Sequence, residues 1–467
     1  MDETIDRRRL LAGLSALGAT AIAGCTGGDG EADTEDGSDG GDSGGDDGGD
    51  GTTTESEEST GTSAQDGGTE PIRIGSPQGL TGRYSSVAQP VADAVRLAQQ
   101  EVNDAGGIGE RELEISVEDV GWTVEEARPV VDKMLNVDQV PLLLGLTSGI
   151  LEPLWDDIQS AETPVISGYP GSTFLDERGG DSGTPEDLSD DQWVWRTIAS
   201  YTIRLLGMAH YLQEERDAET LAIFTGSEPG DQSQASAMRR AWEGLGGEVA
   251  TEVTYRKDQS DFRTPLTELY ESSFDAVYFS TPQADLSKIG QQWNELGYSD
   301  GDEIVVVTNG ALSQEVFQPY FEGVLQASSK PAGPVKEEFE ERFGEFSDHE
   351  PNVWTYANWD AAMVGALAME RAVQTEGEIT RESIQRSIGP VAREGGTTVT
   401  SFEEGKTELR DGNEVNYDGA ASATEFDAYG NVSAAVNVQQ FGESGETSVL
   451  QTVSLETLTE LLPQVSE

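Results

Sequence analysis

Three turns along the chain carry the residue types that hold a small anion. Thr147-Ser148-Gly149 follows the apolar run "VPLLLGL" (140–146) and directly precedes a helical pattern. Gly168-Tyr169-Pro170-Gly171-Ser172-Thr173 follows "PVIS" (164–167), and Gly79-Leu80-Thr81-Gly82-Arg83-Tyr84 follows "IRIGS" (72–76). A Ser/Thr/Gly turn that opens a helix presents unpaired N–H groups and the positive end of the helix dipole, which suits a carboxylate. Plain N-capping by Thr147 or Ser148 explains one such turn taken alone. Three of them at strand ends shift the reading toward a site, because ligands of open parallel sheets sit beyond the carboxyl ends of the strands.

Other chemistry is thinly represented. The chain has no Walker A loop, no GxGxxG after a strand and no nucleophile elbow. His210 and His349 are its only histidines, which argues against a His-based metal site. His210 stands beside Met208 and Tyr211 in a helical pattern that reads as packing. The abundant carboxylates read as solvated faces rather than as an acid/base pair. The expectation is a protein that is not an enzyme and takes no cofactor and no metal.

The elements that must position these turns alternate. Strands at 72–76, 113–117, 140–146 and 164–167 are separated by helical patterns. In the first helix Val91, Ala94, Val95, Ala98 and Val102 share a face, and Gly106-Gly107 stops it. Leu113, Ile115 and Val117 alternate inward. The unbroken run at 140–146 fits a strand covered on both faces. Helices are expected near 124–137, where Pro129 limits the start, and at 151–161. A second series begins after "WVWRTIAS": helices at 202–214, 232–245, 262–271 and 285–296 alternate with strands at 220–224, 248–253, 275–279 and 303–307. Such alternation implies right-handed crossovers and parallel sheets, and the length from Pro71 onward exceeds one core. The fold class expected is α/β, with two doubly wound lobes. Further helices are "VKEEFEERFGEF" and 357–373, the latter with Ala361, Val364, Leu367, Ala368 and Val373 inward. From Thr398 on, helix signals are few.

The amino-terminal stretch is of another kind. Arg7, Arg8 and Arg9 precede an apolar run from Leu10 to Ala23, shorter than the roughly 20 residues that span a bilayer. A charged start, a short apolar segment and small residues read as an export signal, 1–24, and Asp6-Arg7-Arg8-Arg9-Leu10-Leu11 resembles a twin-arginine signal. Ile22-Ala23-Gly24-Cys25 resembles a lipobox, in which the Cys25 thiol is lipidated and becomes the mature N-terminus. Cys25 is the only cysteine, so no internal disulfide forms. Residues 26–70 hold 15 Asp or Glu, 14 Gly and no Lys or Arg. So little apolar surface cannot offset the entropy of ordering, and 25–70 reads as an acidic tether. The whole chain has 88 Asp plus Glu against 28 Lys plus Arg, a formal net charge of −60. This argues against nucleic acid or an anionic membrane surface as a partner. It fits a protein for molar salt, where the Debye length is about 3 Å, and a haloarchaeal surface protein is expected.

"IRIGSPQGLTGRYSSVAQPVADAVRLAQQEVNDAGGIGERELEISVEDV", "PLLLGLTSGILEPLWDDIQSAETPVIS", "AMRRAWEGLGGEV" and "NYDGAASATEFDAYGNV" together resemble the type I periplasmic-type solute-binding proteins, the branched-chain amino acid binding group of ABC importers. The resemblance covers nearly all of 71–467. It implies two lobes, 71–197 plus 331–428 and 198–330 plus 429–467, joined by a hinge of three crossovers near Ala199, Lys330 and Gly430. It also implies closure on a small ligand and recognition by separate permease and ATPase chains, on the outer face of the cytoplasmic membrane; a monomer is expected, though no residue pattern in the chain fixes the oligomeric state. By that resemblance the carboxylate-binding turn falls on Thr147, Ser148 and Gly149, and the second turn near Gly171 and Ser172, with Tyr169 a departure. The family's aromatic in lobe two meets Pro229-Gly230 and is absent. Its acidic residue for a substrate ammonium meets Thr308-Asn309-Gly310, and Asn309 bonds an ammonium without neutralising it. Tyr84, Trp122, Tyr169 and Tyr201 are then the expected cleft walls, suited to a branched-chain amino acid-like solute, an amide or an aromatic acid, while Trp359, beside the helix 361–373, reads equally well as core packing. A receptor that passes ligand occupancy to a membrane transducer is the alternative with the same fold.

Overall fold

The first sheet is short-stranded and wholly parallel: β1 (Ile72–Gln78), β2 (Leu113–Asp119), β3 (Leu143–Leu144), β4 (Val165–Ser167) and β5 (Val194–Arg196), in the order β2-β1-β3-β4-β5. The second begins with parallel strands β6 (Thr220–Gly226), β7 (Glu248–Tyr255), β8 (Ala276–Ser280), β9 (Ile304–Val307) and β10 (Leu325–Ser329). A small ladder of β11 (Thr397–Val399) and β12 (Val415–Tyr417) intervenes in the chain. Antiparallel β13 (Val436–Phe441) and β14 (Thr447–Val453) then complete a seven-stranded sheet, β14-β13-β10-β9-β8-β6-β7. This computed structural model describes residues 70–81, 85–176, 178, 192–256, 259–308, 310–312, 316–393, 395–427 and 429–465. Cys25, the expected signal and tether, Tyr84 and Asn309 lie outside the described residues.

Helices cover both faces of each sheet. Along the chain they are α1 (Ser85–Asp104), α2 (Val124–Asp132), α3 (Ser148–Leu151), α4 (Trp155–Ser160), α5 (Tyr201–Arg216), α6 (Pro229–Gly244), α7 (Arg263–Leu269), α8 (Gln283–Glu295), α9 (Lys336–Phe346), α10 (Val353–Glu376), α11 (Arg381–Ile388), α12 (Phe402–Arg410) and α13 (Leu455–Leu461). Alternate strand residues serve opposite cores, as period two requires. Ile74, Leu144 and Ile166 join α1 and α10, whereas Leu143, Val165 and Val194 join α2, α3 and α4. In the second sheet Leu221, Ile223 and Tyr278 pack with α5 and α6, and Ala222, Phe224 and Phe279 with α7 and α8. The strand–helix alternation of the sequence is therefore the alternation of two doubly wound α/β lobes.

The chain changes core three times: between Trp195 and Ala199, between Ala327 and Val335, and between Val432 and Ala434. The passing segments lie side by side. Arg196 N donates to Gly430 O (2.9 Å), Lys330 N to Ala435 O (2.8 Å), and Ala332 N to Ala421 O (2.9 Å). Asp360 of α10 fastens the loop beside them, accepting from Ala420 N and Ala421 N (2.8 Å each) and from the Tyr417 hydroxyl (3.1 Å).

Three local readings differ from the sequence expectation. Pro129 lies inside α2, which starts ahead of it at the Thr123 cap and runs on into a π-turn at 133–137. A proline one turn into a helix loses one N–H partner, and the change of winding that follows accommodates it. The run 140–146 contributes only two ladder residues, because Gly145 and Leu146 turn to positive φ. The carboxyl-terminal part holds α12 and α13, whose Ser401 and Ser454 caps each accept an amide from the third residue on.

Candidate functional site

The strand ends of the five-stranded lobe are tied to one another. The Tyr169 hydroxyl donates to Gln78 Oε1 (2.7 Å), Gln78 Nε2 donates to Ser76 Oγ (2.9 Å), and Ser76 Oγ donates to Leu144 O (3.1 Å). Burial pushes the Tyr169 hydroxyl up in pKa, so it remains a neutral donor. Ser167 Oγ donates to Leu146 O (3.0 Å) and receives Tyr169 N (3.2 Å). The chain leaves β3 through Gly145 (φ 101°) and Leu146 (φ 94°). That conformation is strained for leucine, and it turns the chain into Thr147. Ser148 Oγ then accepts Ser172 N (3.2 Å), so two of the three predicted turns touch. The Thr147 side chain makes no cap, and α3 is a single turn.

The third turn is organised by Asp119. Its carboxylate accepts Leu80 N (3.0 Å), Thr81 N (3.3 Å), Thr81 Oγ1 (2.6 Å) and Gly121 N (3.0 Å). Partial burial raises its pKa, but the Thr81 hydroxyl and the three amides outweigh that and hold it below the usual carboxylate range. Trp122 lies against the same turn, its Nε1 donating to Gly79 O (3.0 Å).

The seven-stranded lobe meets the other at the Gly171-Ser172-Thr173 turn. Tyr201 N donates to Gly171 O (2.7 Å), and Thr202 Oγ1 donates to Asp176 Oδ2 (2.6 Å). Ser233 Oγ of α6 accepts Thr173 N (2.9 Å) and lies 3.0 Å from Thr173 Oγ1 and 3.2 Å from Ser172 Oγ. Gly171 must be glycine: a Cβ there would stand 2.4 Å from the Tyr201 ring and 2.3 Å from Arg204 Nη2. Gly310, after β9, faces Trp354 of α10 less closely: a Cβ there would stand 3.1 Å from the ring.

Two arginines are buried at this junction. Arg196 is 2% exposed, donates to Ser172 O (2.9 Å) and is ion-paired with Asp176. Arg204 is 5% exposed, with its guanidinium 4.6 Å from the Tyr201 ring centre. Its Nε is sealed without a hydrogen-bond partner, and no carboxylate among the described residues pairs with it. Burial lowers its pKa, and the charge of Arg196 adds to the effect. At the end of β8 the Thr281 hydroxyl is likewise buried without a partner.

The structure thus gathers Ser148, Gly171, Ser172 and Tyr201 in one place, with Thr147 and Gly149 alongside on the α3 turn. Tyr169 is behind them, 7% exposed, its hydroxyl bonded within its own lobe. Trp122 stands at the other side of the sheet, after edge strand β2. Of the two readings of Trp359 the structure shows the core one: it is 1% exposed, packs on Phe339, and donates Nε1 to Glu101 (2.9 Å). Sequence reasoning missed Ser233, Arg196 and Arg204. The last left a signal, a lone cation in the apolar helical stretch "YTIRLLGMA". Hydroxyls, amides and a guanidinium suit the holding of an anion. Among the described residues no group of three or more His, Cys, Asp or Glu is placed to hold a metal ion.

Two lobes, one on a wholly parallel sheet and one on a mainly parallel sheet, joined by three adjacent crossovers, with strand-end turns meeting across the junction, define a hinged two-lobe α/β protein. Residues 71–445 match the family model described as periplasmic binding protein, and the chain belongs to that family. No curated protein sequence matches it. Among solved structures, a leucine binding protein from Thermotoga maritima superposes with a TM-score of 0.65 at 18% identity, covering 82% of this chain and 99% of that one. A branched-chain amino acid transporter substrate binding protein from Streptococcus pneumoniae, solved with isoleucine, gives 0.64 at 17% identity over 82% and 99%. A solute binding protein of an ABC transporter from R. palustris, solved with benzoate, gives 0.63 at 13% identity over 82% and 96%.

Proposed function

We propose that this protein is the extracytoplasmic, lipid-anchored substrate-binding component of an ABC importer, which closes its two lobes on a small carboxylate-bearing solute. The observation that carries the reading is the junction itself. Strand-end turns of one lobe bond to α5 and α6 of the other through Gly171, Thr173, Asp176 and Ser233, while the chain passes between the lobes only at three adjacent crossovers. Segments so arranged bend together, and a solute that contacts both lobes favours the shut state. The lobes are 71–197 plus 331–428 and 198–330 plus 429–467, with the third crossing extending toward Ala434. Ser148, Gly171, Ser172 and Tyr201 line the contact region, and Thr147, Gly149, Trp122, Tyr84 and Asn309 complete the proposed wall. Cys25 supplies the anchor after removal of 1–24, the acidic stretch supplies reach, and the surface charge suits molar salt. Family membership supports the location outside the cytoplasm, and the solved relatives with isoleucine and with benzoate support the class of solute.

A thermal-shift screen in molar salt tests the reading, with amino acids, short amides, urea and aromatic acids as probes. A ligand at 100 times its dissociation constant adds about 2.7 kcal/mol of stability. A panel in which no solute raises the melting temperature or compacts the protein in solution scattering would sink it. Mass spectrometry of the membrane-bound form should find an acylated N-terminus at Cys25, absent in Cys25→Ser.

A further inference from the structure

Asp360 is a buried charge to which the binding reading gives no task. It lies on α10 and is 1% exposed. No Lys, Arg or His among the described residues pairs with it. Its partners are Ala420 N and Ala421 N (2.8 Å each) and the Tyr417 hydroxyl (3.1 Å). A carboxylate sealed from water without a cation is costly when ionised, so it holds its proton more tightly than an exposed one. The three donors offset part of that cost, and burial still leaves Asp360 raised to about 7. The other ionisable groups here are Tyr417 and Asp418 on the loop side, Glu101 of α1 and Arg342 of α9 beyond Tyr417, and Lys330 and Lys336 on the crossover. Glu101 is paired with Arg342, and Lys336 with Glu340.

The loop that Asp360 holds is in direct contact with the second crossover. Ala332 N donates to Ala421 O (2.9 Å) and Gly333 N to Ala420 O (3.2 Å). The two residues whose amides bond Asp360 thus hold the crossover by their carbonyls. Bare backbone makes both contacts. A Cβ at Gly419 would stand 2.1 Å from Asp360 Oδ1, and one at Gly333 would stand 1.9 Å from Gly419 O. Carboxylate, loop and crossover form one stack, with no side chain between its layers to absorb a shift.

Resting on the hinge of the reading above, we propose that Asp360 is a proton-operated latch on the second crossover: with its proton it keeps loop and crossover fastened, and its ionisation releases them. The fastened carboxyl titrates at about 7, and a released, hydrated one near about 4. Fastening is therefore at full strength below about 4, weakens as the pH rises between the two values, and reaches its floor above about 7. The crossover bends more freely once released, so lobe movement acquires a pH dependence that originates at the hinge. The competing role is a structural pin that holds the loop equally at every pH.

The test is hydrogen exchange of the full chain in molar salt, without solute, read by mass spectrometry at about pH 5 and about pH 7 in the segments that carry the Ala332, Gly333, Ala420 and Ala421 amides. After correction for the intrinsic rate, their protection should fall by about tenfold over that interval, since one unit of pKa difference is a factor of ten. The exchange should be insensitive to dilute urea, because a local release exposes little surface. Asp360→Asn should hold the four amides at one level of protection throughout. Asp418→Asn, which removes the neighbouring carboxylate, should retain the fall. Tyr417→Phe takes one donor from the carboxylate and should move the fall to higher pH, a readout that serves even where Asp360→Asn does not fold. Constant protection in the parent overturns the inference. So does a fall that persists in Asp360→Asn, disappears in Asp418→Asn, stays in place in Tyr417→Phe, or depends on urea as steeply as the exchange of β6. No solute enters the measurement, so the thermal-shift screen decides the binding reading separately.

Discussion

The two lobes treat the polar groups at their strand ends differently. In the five-stranded lobe, Tyr169, Gln78, Ser76 and Ser167 bond to one another or to backbone, and Asp119 gathers the Leu80-Thr81 turn. In the seven-stranded lobe, Arg204 Nε and Thr281 Oγ1 are buried with no partner, as Trp195 Nε1 and Arg196 Nε are in the five-stranded lobe. The difference lies in the charge: Arg196 is ion-paired with Asp176, whereas no carboxylate among the described residues pairs with Arg204. A buried cation without a carboxylate is the costlier arrangement, so the two rims differ in how their buried charge is compensated.

That contrast is most directly broken at Arg196. Arg196→Gln removes the partner of Asp176 and the bond to Ser172 O, and should cost about 3–5 kcal/mol in urea unfolding. Arg204→Gln should cost little or nothing by the same measurement, and equal losses would erase the distinction between the two cations. Next in size is Tyr169→Phe, which orphans Gln78 Oε1 in the self-bonded wall, for an expected loss of about 1–3 kcal/mol in the same experiment. Ser233→Ala touches only the contact between lobes. It should leave the melting temperature of the ligand-free protein nearly unchanged while weakening closure by about 1 kcal/mol, read as a larger mean radius by scattering at fixed probe concentration.

The smallest expected effects are in pH. Asp119 has its pKa held low by its hydrogen bonds. Its contribution is therefore full above the unfolded value near about 4 and lost as the pH falls through the folded value. Asp360 runs the other way. Burial pushes it up to about 7 in spite of the Ala420, Ala421 and Tyr417 bonds, so the folded protein holds a proton that the unfolded chain has released. Its contribution is full below about 4 and is lost as the pH rises toward 7. Thermal melts of Asp360→Asn should show a flatter decline between pH 5 and 7 than the parent, and those of Asp119→Asn a flatter decline on the acid side.

Much of the frame was legible because its signals are local. Leu113 and Ile115 alternate inward as the pattern requires, and the one-faced stripe from Val91 to Val102 is the buried face of α1. Gly106 and Gly107 adopt the positive φ that stops a helix. The α12 cap was also present in the sequence, as Ser401 followed by Glu404, but Gly and Thr on either side obscured it. The site was legible only as separate turns. Nothing local in Ser172 says that its amide meets Ser148 Oγ, or that its hydroxyl faces Ser233 some sixty positions on, because those contacts depend on the docking of lobes. The burial of Trp359 is of the same kind. Its helix is apolar nearly all round, which gives no direction to any one ring until α1 and α9 are packed against it.

The position of β13 carries a consequence for synthesis. It lies between β10 and β14, so the second sheet receives two of its strands from residues 436–453, more than a hundred positions after β10. Until then β10 presents an unpaired edge, and every partner it has acquired comes from earlier in the chain. A nascent molecule is thus open to strand-to-strand association until those residues have been made. Products that stop before residue 436 should accumulate as aggregates rather than as half-working receptors.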